Sequence, residues 1–209
     1  QGRHGMHVLF LHLFINENPF YMPDPLAADK ASAYLEECMK NQDSAGGVIE
    51  CRISGVPSGL GEPVFDKLDA SLGKAMLSIG AVKGFEIGSG FEAAKMTGSE
   101  NNDSFVMKDG KLTKKTNHAG GVLGGMSDGS NIVFRAAVKP TPSISAVQDT
   151  VNKDGENIEI SIKGRHDPMI VPRAVVVVEA MTALTLVDLI FENMTARLDG
   201  ICAFYNRSK

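Results

Sequence analysis

Arg165 and Asp167, an arginine and an aspartate two positions apart, are the most chemically suggestive residues of the chain. They lie between Gly164 and Pro168, just before a long apolar stretch that predicts a helix. The guanidinium of Arg165 has a planar fork of donors that suits phosphate or carboxylate, and Asp167 can accept a proton. The alternative is an Arg–Asp pair that only holds a turn together, and the two residues taken alone favour it.

The segment from Lys139 to Ser143, Lys-Pro-Thr-Pro-Ser, has the composition of a small anion-binding loop. Lys139 supplies a positive charge, Thr141 and Ser143 supply hydroxyls, and Pro140 and Pro142 fix the backbone that carries them. The same prolines would also end a strand, and the segment taken alone favours this structural interpretation. Its place shortly before the arginine–aspartate pair strengthens the case for a site.

Residues 119–129 contain five glycines in eleven positions, but they match neither a phosphate-binding loop nor a dinucleotide fingerprint. Paired glycines let a backbone touch a flat ligand or another backbone, because no Cβ stands in the way. Both alternatives stay open. His118 and His166 flank these segments and could titrate near neutral pH, although a single loop histidine is more often structural.

Composition excludes several classes of function. The formal charge of −4 and the scattered lysines and arginines argue against nucleic-acid binding. Cys38, Cys51 and Cys202 form no CxxC pair, which argues against a disulfide framework or a metal site and favours a reduced, cytoplasmic protein. The apolar run at residues 6–15 is too short to span a bilayer, so we expect no membrane segment. Because the chain begins at Gln1, we expect that it is a piece of a longer protein or carries extra residues at its start.

The elements that must position these residues follow from periodicity and from breaks at glycine and proline. The pattern predicts helices over 25–39, capped by Asp24, over 63–79 and over 171–198, and strands over 48–53, 81–87, 131–138 and 157–162. The last helix has apolar residues on most faces, which predicts a mostly buried helix. The polar residues 97–117, with four lysines, read as a solvated loop or a mobile lid.

Alternating strands among helices favour an α+β fold, with antiparallel sheet layers packed against long helices. We expect one such domain over residues 17–198, preceded by an unplaced lead at 1–16 and followed by a tail at 199–209.

Four segments in this order resemble the chorismate synthase family. They are Gly59-Leu-Gly-Glu-Pro-Val-Phe-Asp-Lys-Leu-Asp-Ala70, Asn117-His-Ala-Gly-Gly-Val-Leu-Gly-Gly-Met-Ser-Asp-Gly129, Lys139-Pro-Thr-Pro-Ser143 and Gly164-Arg-His-Asp-Pro168. The likeness runs from about residue 17 to about residue 190. It covers most of this chain but only the later part of a full-length family member.

The resemblance implies the 1,4-anti elimination of phosphate from 5-enolpyruvylshikimate 3-phosphate, in aromatic amino acid biosynthesis. It implies reduced flavin mononucleotide (FMN) as cofactor, a small-molecule phosphate substrate and a homo-oligomer, a tetramer in the family; NADP is also associated with the family. It assigns to Asp167 a place near the flavin N5, where the carboxylate tunes protonation. It assigns flavin contacts to Gly80, Ala81, Gly124, Lys139, Pro140, Thr141, Pro142, Ser143 and Arg165.

The largest departure from the family pattern is that two of the family's segments are missing. The family's Ser-His-Gly segment and its Arg-Ala-Ser-Gly-Arg-Glu segment, which hold substrate and flavin, have no counterpart here. Gly80 stands where asparagine is common, and Met169 stands where cysteine is usual. The chain alone is therefore expected to be weak or inactive. The alternative is a non-catalytic fragment or paralogue that folds and self-associates through its last helix without binding flavin.

Overall fold

The structure of the protein is a computed structural model that describes residues 18–164 and 167–206. The contacts of these residues divide the chain into two compact units. Within the described residues, unit 1 contains 50–136 and 177–206, and unit 2 contains 18–49, 137–164 and 167–176.

The elements form an α+β fold, as the sequence predicts. The helices are α1 (Pro25–Lys40), α2 (Leu68–Ser78), α3 (Gly98–Asn101), α4 (Val171–Met194) and α5 (Leu198–Asn206), with a 3-10 helix at Gly90–Lys95. The strands are β1 (Gly47–Ile53), β2 (Val82–Ile87), β3 (Phe105–Lys108), β4 (Lys111–Lys114), β5 (Val122–Leu123), β6 (Met126–Ser127), β7 (Ile132–Val138), β8 (Gln148–Val151) and β9 (Asn157–Ile160). One sheet has the order β1-β7-β2, and β3–β4, β5–β6 and β8–β9 are antiparallel pairs.

Local signals set the first helix and strand as predicted. The carboxylate of Asp24 accepts the backbone N–H of Leu26 at 2.9 Å, which satisfies a donor that the first turn of α1 leaves unpaired. In β1 the side chains of Ile49, Cys51 and Ile53 are buried, and the alternate positions are more exposed. This period of two is typical of a strand with one face in the core.

The core of unit 1 lies where α2 packs on the sheet. Leu72, Met76 and Phe134 are fully buried, and Gly73 leaves room for the ring of Phe85, which lies 3.3 Å from where a Cβ would stand. Helix α2 begins at Leu68, later than the predicted start at residue 63. The cause is a tight turn: the backbones of Glu62 and Asp66 exchange hydrogen bonds of 2.8 and 3.0 Å, and this pairing is incompatible with a helix there.

Two predicted elements differ from the structure. Residues 97–117 are not one open loop, because β3 and β4 form a hairpin that turns at Asp109-Gly110. Helix α4 is not mostly buried: its buried residues are Val178, Thr182, Leu186 and Leu189, which form one stripe. Apolar composition on every face predicts burial only if something covers every face.

Helix α4 is also long and apolar enough to cross a membrane, judged by length and composition alone. Its most apolar window is only 22% buried. Helix α5 occupies residues that the sequence assigned to a tail, and it lies in unit 1.

Candidate functional site

The predicted anion loop, residues 139–143, follows β7 and lies in unit 2; we call it the strand-exit loop. Lys139 is exposed and makes no ion pair in the described part of the chain. The carbonyl oxygen of Thr141 accepts the hydroxyl of Ser44 at 2.7 Å. The hydroxyl oxygen of Thr141 is buried and has no hydrogen-bond partner among the described residues. A buried hydroxyl without a partner is costly, so this loop carries one unsatisfied polar group.

The strand-exit loop and the aspartate of the Arg-His-Asp-Pro segment line one depression in unit 2. Ser143 and Asp167 both face it, together with Gly164, Asp43 and Ser44 from other parts of the chain. Its volume is about 240 Å³, somewhat below the roughly 300 Å³ at which pockets for whole small ligands begin. It therefore has room for part of a larger ligand, such as a phosphate or one edge of a ring system.

Asp167 has a partner that the sequence did not indicate. Its Oδ2 accepts Nη1 of Arg173, in the first turn of α4, at 2.6 Å. The Arg173 side chain is 74% exposed and that of Asp167 is 39% exposed, so solvent screens the pair and its contribution to stability is small. Arg165 and His166 lie outside the described residues.

Lys139, Thr141 and Ser143 give the strand-exit loop one exposed charge and two hydroxyls that suit a phosphorylated ligand, on backbone that its prolines fix. Of these three residues Ser143 lines the depression, together with the carboxylates of Asp43 and Asp167. The residues present are consistent with the phosphate-bearing end of FMN.

The glycine-rich segment 119–129, in unit 1, contains glycines in two different surroundings. At Gly121, with φ +81°, a Cβ would lie 2.5 Å from the carbonyl oxygen of Asn131, so this glycine allows backbone to pack on backbone. At Gly124, with φ +61°, nothing lies within 4 Å of the same position. Gly124 is therefore an open turn that a flat ligand could approach.

Gly80 and Ala81, two other predicted flavin contacts in unit 1, follow the C-terminal end of α2. Gly80 is exposed, and Ala81 is half-buried with a positive φ of 70°. The carbonyl of Gly125 accepts the N–H of Leu68 at 2.8 Å, which puts the glycine-rich segment at the other end of α2. An 11-residue helix is about 16 Å long at a rise of 1.5 Å per residue. A ligand that touches both ends of α2 must therefore extend over most of that length.

Buried charge holds the glycine-rich segment in place. The ammonium of Lys114 pairs with the carboxylate of Asp128, and both side chains are less than 10% exposed. The sequence grouped Lys114 with solvated lysines, and this was wrong because Lys114, at the end of β4, meets Asp128 directly after β6. Burial raises the pKa of Asp128, but the hydrogen bond from Lys114 and those from Ser130 outweigh burial, so the pKa lies below its usual value.

A second carboxylate, Asp103, fixes the start of the same segment. It accepts the N–H groups of His118 and Ala119 at 2.8 and 2.9 Å and the hydroxyl of Thr116 at 2.7 Å. Burial raises the pKa of Asp103, and these hydrogen bonds lower it by more. The ring of His118 pairs with the hydroxyl of Ser89 at 2.9 Å, which agrees with a structural histidine.

Comparison with known proteins identifies the family. The family model described as chorismate synthase matches residues 5–191. The chain belongs to the chorismate synthase family. The match begins earlier than the resemblance inferred from motifs, so residues 5–16 share the family pattern as well.

Curated relatives are similar over nearly the whole chain. Chorismate synthase from Lachnospira eligens is 71% identical over 192 residues, which cover 92% of this chain and 52% of that protein. Chorismate synthase from Agathobacter rectalis is 66% identical over 193 residues, which cover 92% of this chain and 53% of that protein. The chain thus spans about half the length of the curated relatives it matches.

A solved structure agrees with this assignment. A crystal structure of a chorismate synthase superimposes with a TM-score of 0.72 at 33% identity, covering 88% of this chain and 48% of that one. The α+β fold described above therefore corresponds to about half of a chorismate synthase chain.

Proposed function

We propose that this chain supplies the later part of a chorismate synthase active site and binds reduced FMN. The whole reaction is the 1,4-anti elimination of phosphate from 5-enolpyruvylshikimate 3-phosphate to give chorismate. The carbon–oxygen bond to phosphate breaks and a proton leaves the substrate, so that a new double bond forms without net oxidation. When bound, reduced FMN lends electron density to this step and takes it back.

The observation that carries the proposal is the depression in unit 2, which Ser143 of the strand-exit loop and Asp167 both line. Lys139 and the loop hydroxyls hold the flavin phosphate, because they offer a charge and donors on rigid backbone. The family resemblance puts Asp167 beside the flavin N5, where its carboxylate would hold or release a proton. Its Oδ2 accepts Arg173, which leaves Oδ1 for this acid–base role.

The remaining flavin contacts rest on the family resemblance. They are Pro140 and Pro142, which fix the loop; Arg165, a fork of donors for phosphate or carboxylate; and Gly80, Ala81 and Gly124, positions of small side chain for a flat ring. We further propose a cytoplasmic homo-oligomer, a tetramer as in the family, that acts on a small-molecule phosphate and engages neither nucleic acid nor membrane.

The chain alone is proposed to be feeble, because catalysis needs groups on the family segments that it does not contain. The test adds reduced FMN and 5-enolpyruvylshikimate 3-phosphate to purified chain and measures phosphate and chorismate. The relative from Lachnospira eligens serves as the positive control. We expect slow or undetectable turnover but clear stabilisation by FMN alone, about 2.7 kcal/mol at a hundred times the dissociation constant. Absence of any stabilisation at millimolar FMN would reject the proposal.

The second candidate is a fragment or paralogue that self-associates without binding flavin. It is favoured by one observation, the apolar surface of α4: Val176, Leu184 and Phe191 are each more than 60% exposed. Apolar surface of this extent on a helix is typical of an interface. The second candidate predicts the same degree of association with and without FMN. Light scattering in both conditions therefore separates the two candidates.

A further inference from the structure

The turn between α1 and β1, residues 43–47, connects the two segments that form the depression in unit 2. The hydroxyl of Ser44 donates to the carbonyl of Thr141 at 2.7 Å, in the strand-exit loop. The N–H of the next residue, Ala45, donates to the carbonyl of Pro168 at 2.7 Å, directly after Asp167. Ser44 is 8% exposed and Ala45 is 1% exposed, so both bonds are shielded from water.

Two glycines bring the backbone of this turn against the same two segments. At Gly46 a Cβ would lie 2.5 Å from the carbonyl oxygen of Val138 and 3.0 Å from the ring of Pro140. At Gly47 a Cβ would lie 3.1 Å from the side chain of Val171, at the start of α4. At these two positions the turn packs closely against the strand-exit loop and the start of α4, and a larger side chain would displace one of them.

The strand-exit loop depends on outside support because it makes few hydrogen bonds of its own. Pro140 and Pro142 have no N–H to donate, and the hydroxyl of Thr141 has no partner among the described residues. The bond from Ser44 thus ties the middle of the loop, between its two prolines, to the turn. Without it the carbonyl of Thr141 would have to find water or move.

We infer that Ser44 is a positioning residue of the flavin site: with Ala45 it holds the strand-exit loop and the Asp167 segment in the relative geometry that binding requires. The inference rests on the proposed function for the role of those two segments. Ser44 also lines the depression, but its hydroxyl hydrogen is committed to the carbonyl of Thr141 and is not available to a ligand. It acts through the carbonyl of Thr141, and through Ala45 on Pro168.

The first measurement is hydrogen exchange, read by mass spectrometry on the flavin-free chain. In Ser44→Ala we expect exchange to rise about three- to tenfold in peptides that cover 44–47 and 139–146, the range given by one hydrogen bond of ordinary net strength. The peptide that begins at Asp167 should follow, because Ala45 loses its alignment with Pro168. Ser44→Thr keeps the hydroxyl and should restore slow exchange. If Ser44→Ala does not fold, Ser44→Cys removes the strong donor at nearly the same volume.

The second measurement is the dissociation constant of FMN. Ser44→Ala should weaken FMN about tenfold and riboflavin by less, because riboflavin lacks the phosphate that the loop holds. Ser44→Thr should return FMN binding to within about twofold of wild type. The matched control is Thr182→Ala, which deletes a buried hydroxyl bonded to Val178 within α4 of unit 1. It should lower overall stability and leave both FMN affinity and local exchange in 139–146 unchanged.

The outcomes separate the inference from the proposed function. The inference would be overturned if hydrogen exchange in Ser44→Ala were as slow as in wild type. It would also be overturned if exchange rose evenly over the whole chain, as in a general loss of stability. Faster local exchange with unchanged FMN affinity would overturn it as well. If the wild-type chain binds no FMN, the proposed function fails, and the exchange measurement alone then decides whether Ser44 aligns the two segments.

Discussion

The glycine-rich segment of unit 1 and the strand-exit loop of unit 2 are both candidate flavin-binding loops, yet they are held in opposite ways. The first is fixed by buried charge, since Lys114 pairs with Asp128 and Asp103 accepts three hydrogen bonds. The second is fixed by proline geometry and one hydroxyl, and it keeps a lysine charge exposed. A loop whose polar groups are already satisfied can offer shape to a ligand, whereas one with spare donors can offer binding energy.

The largest effect should come from breaking the buried ion pair. Lys114→Met leaves Asp128 buried without its partner, which costs about 3–5 kcal/mol of unfolding free energy. Urea denaturation measures this loss. Lys115→Met, the neighbouring exposed lysine, is the matched control and should change stability by less than about 0.5 kcal/mol. Equal losses in the two variants would show that the ion pair does not hold the segment.

Two glycines of the same segment should respond differently to an added methyl group. Gly121→Ala forces a Cβ to within 2.5 Å of a carbonyl oxygen at positive φ, and we expect a loss of about 2–5 kcal/mol. Gly124→Ala is strained only by its φ and should cost about 1–2 kcal/mol. Thermal unfolding gives both values. Gly124→Ala should in addition weaken FMN, and the opposite ranking of stabilities would contradict the division into packing and open glycines.

We expect low pH to lower the stability of unit 1 by protonating Asp128. Its pKa is below the usual value in the folded chain, so its stabilisation is present above the unfolded pKa of about 3.9 and is lost as pH falls through the folded pKa. We expect the unfolding free energy to fall steadily below about pH 4, and Asp128→Asn to flatten that fall. Asp109→Asn, at the exposed turn of the β3–β4 hairpin, should show the same fall of unfolding free energy as wild type. An unaltered acid profile in Asp128→Asn would contradict this assignment.

Sequence reasoning worked where the signal is local. The Asp24 cap, the alternation in β1 and the proline stop after β7 depend on residues a few positions apart, and all three appear in the structure. The β3–β4 hairpin could have been predicted too, since Asp-Gly, here Asp109-Gly110, is a common two-residue hairpin turn.

The partners of the site could not be predicted in this way. Ser44 contacts Thr141, 97 positions away, and Lys114 at the end of β4 pairs with Asp128, 14 positions later and directly after β6. Neither pairing produces a periodic pattern in the sequence, because each is set by tertiary packing. The ion pair between Arg173 and Asp167 was the easiest partner to predict, because Arg173 lies six positions after Asp167 at the start of a predicted helix.

The most direct test of the flavin cradle is a titration of FMN and of riboflavin into wild-type chain and Lys139→Gln. Lys153→Gln, in the exposed turn between β8 and β9, is the control with the same change of charge. We predict that Lys139→Gln weakens FMN about tenfold, leaves riboflavin and the unfolding free energy unchanged, and that Lys153→Gln alters none of them. Equal affinity of wild type and Lys139→Gln for FMN would contradict the assignment of the strand-exit loop to the flavin phosphate.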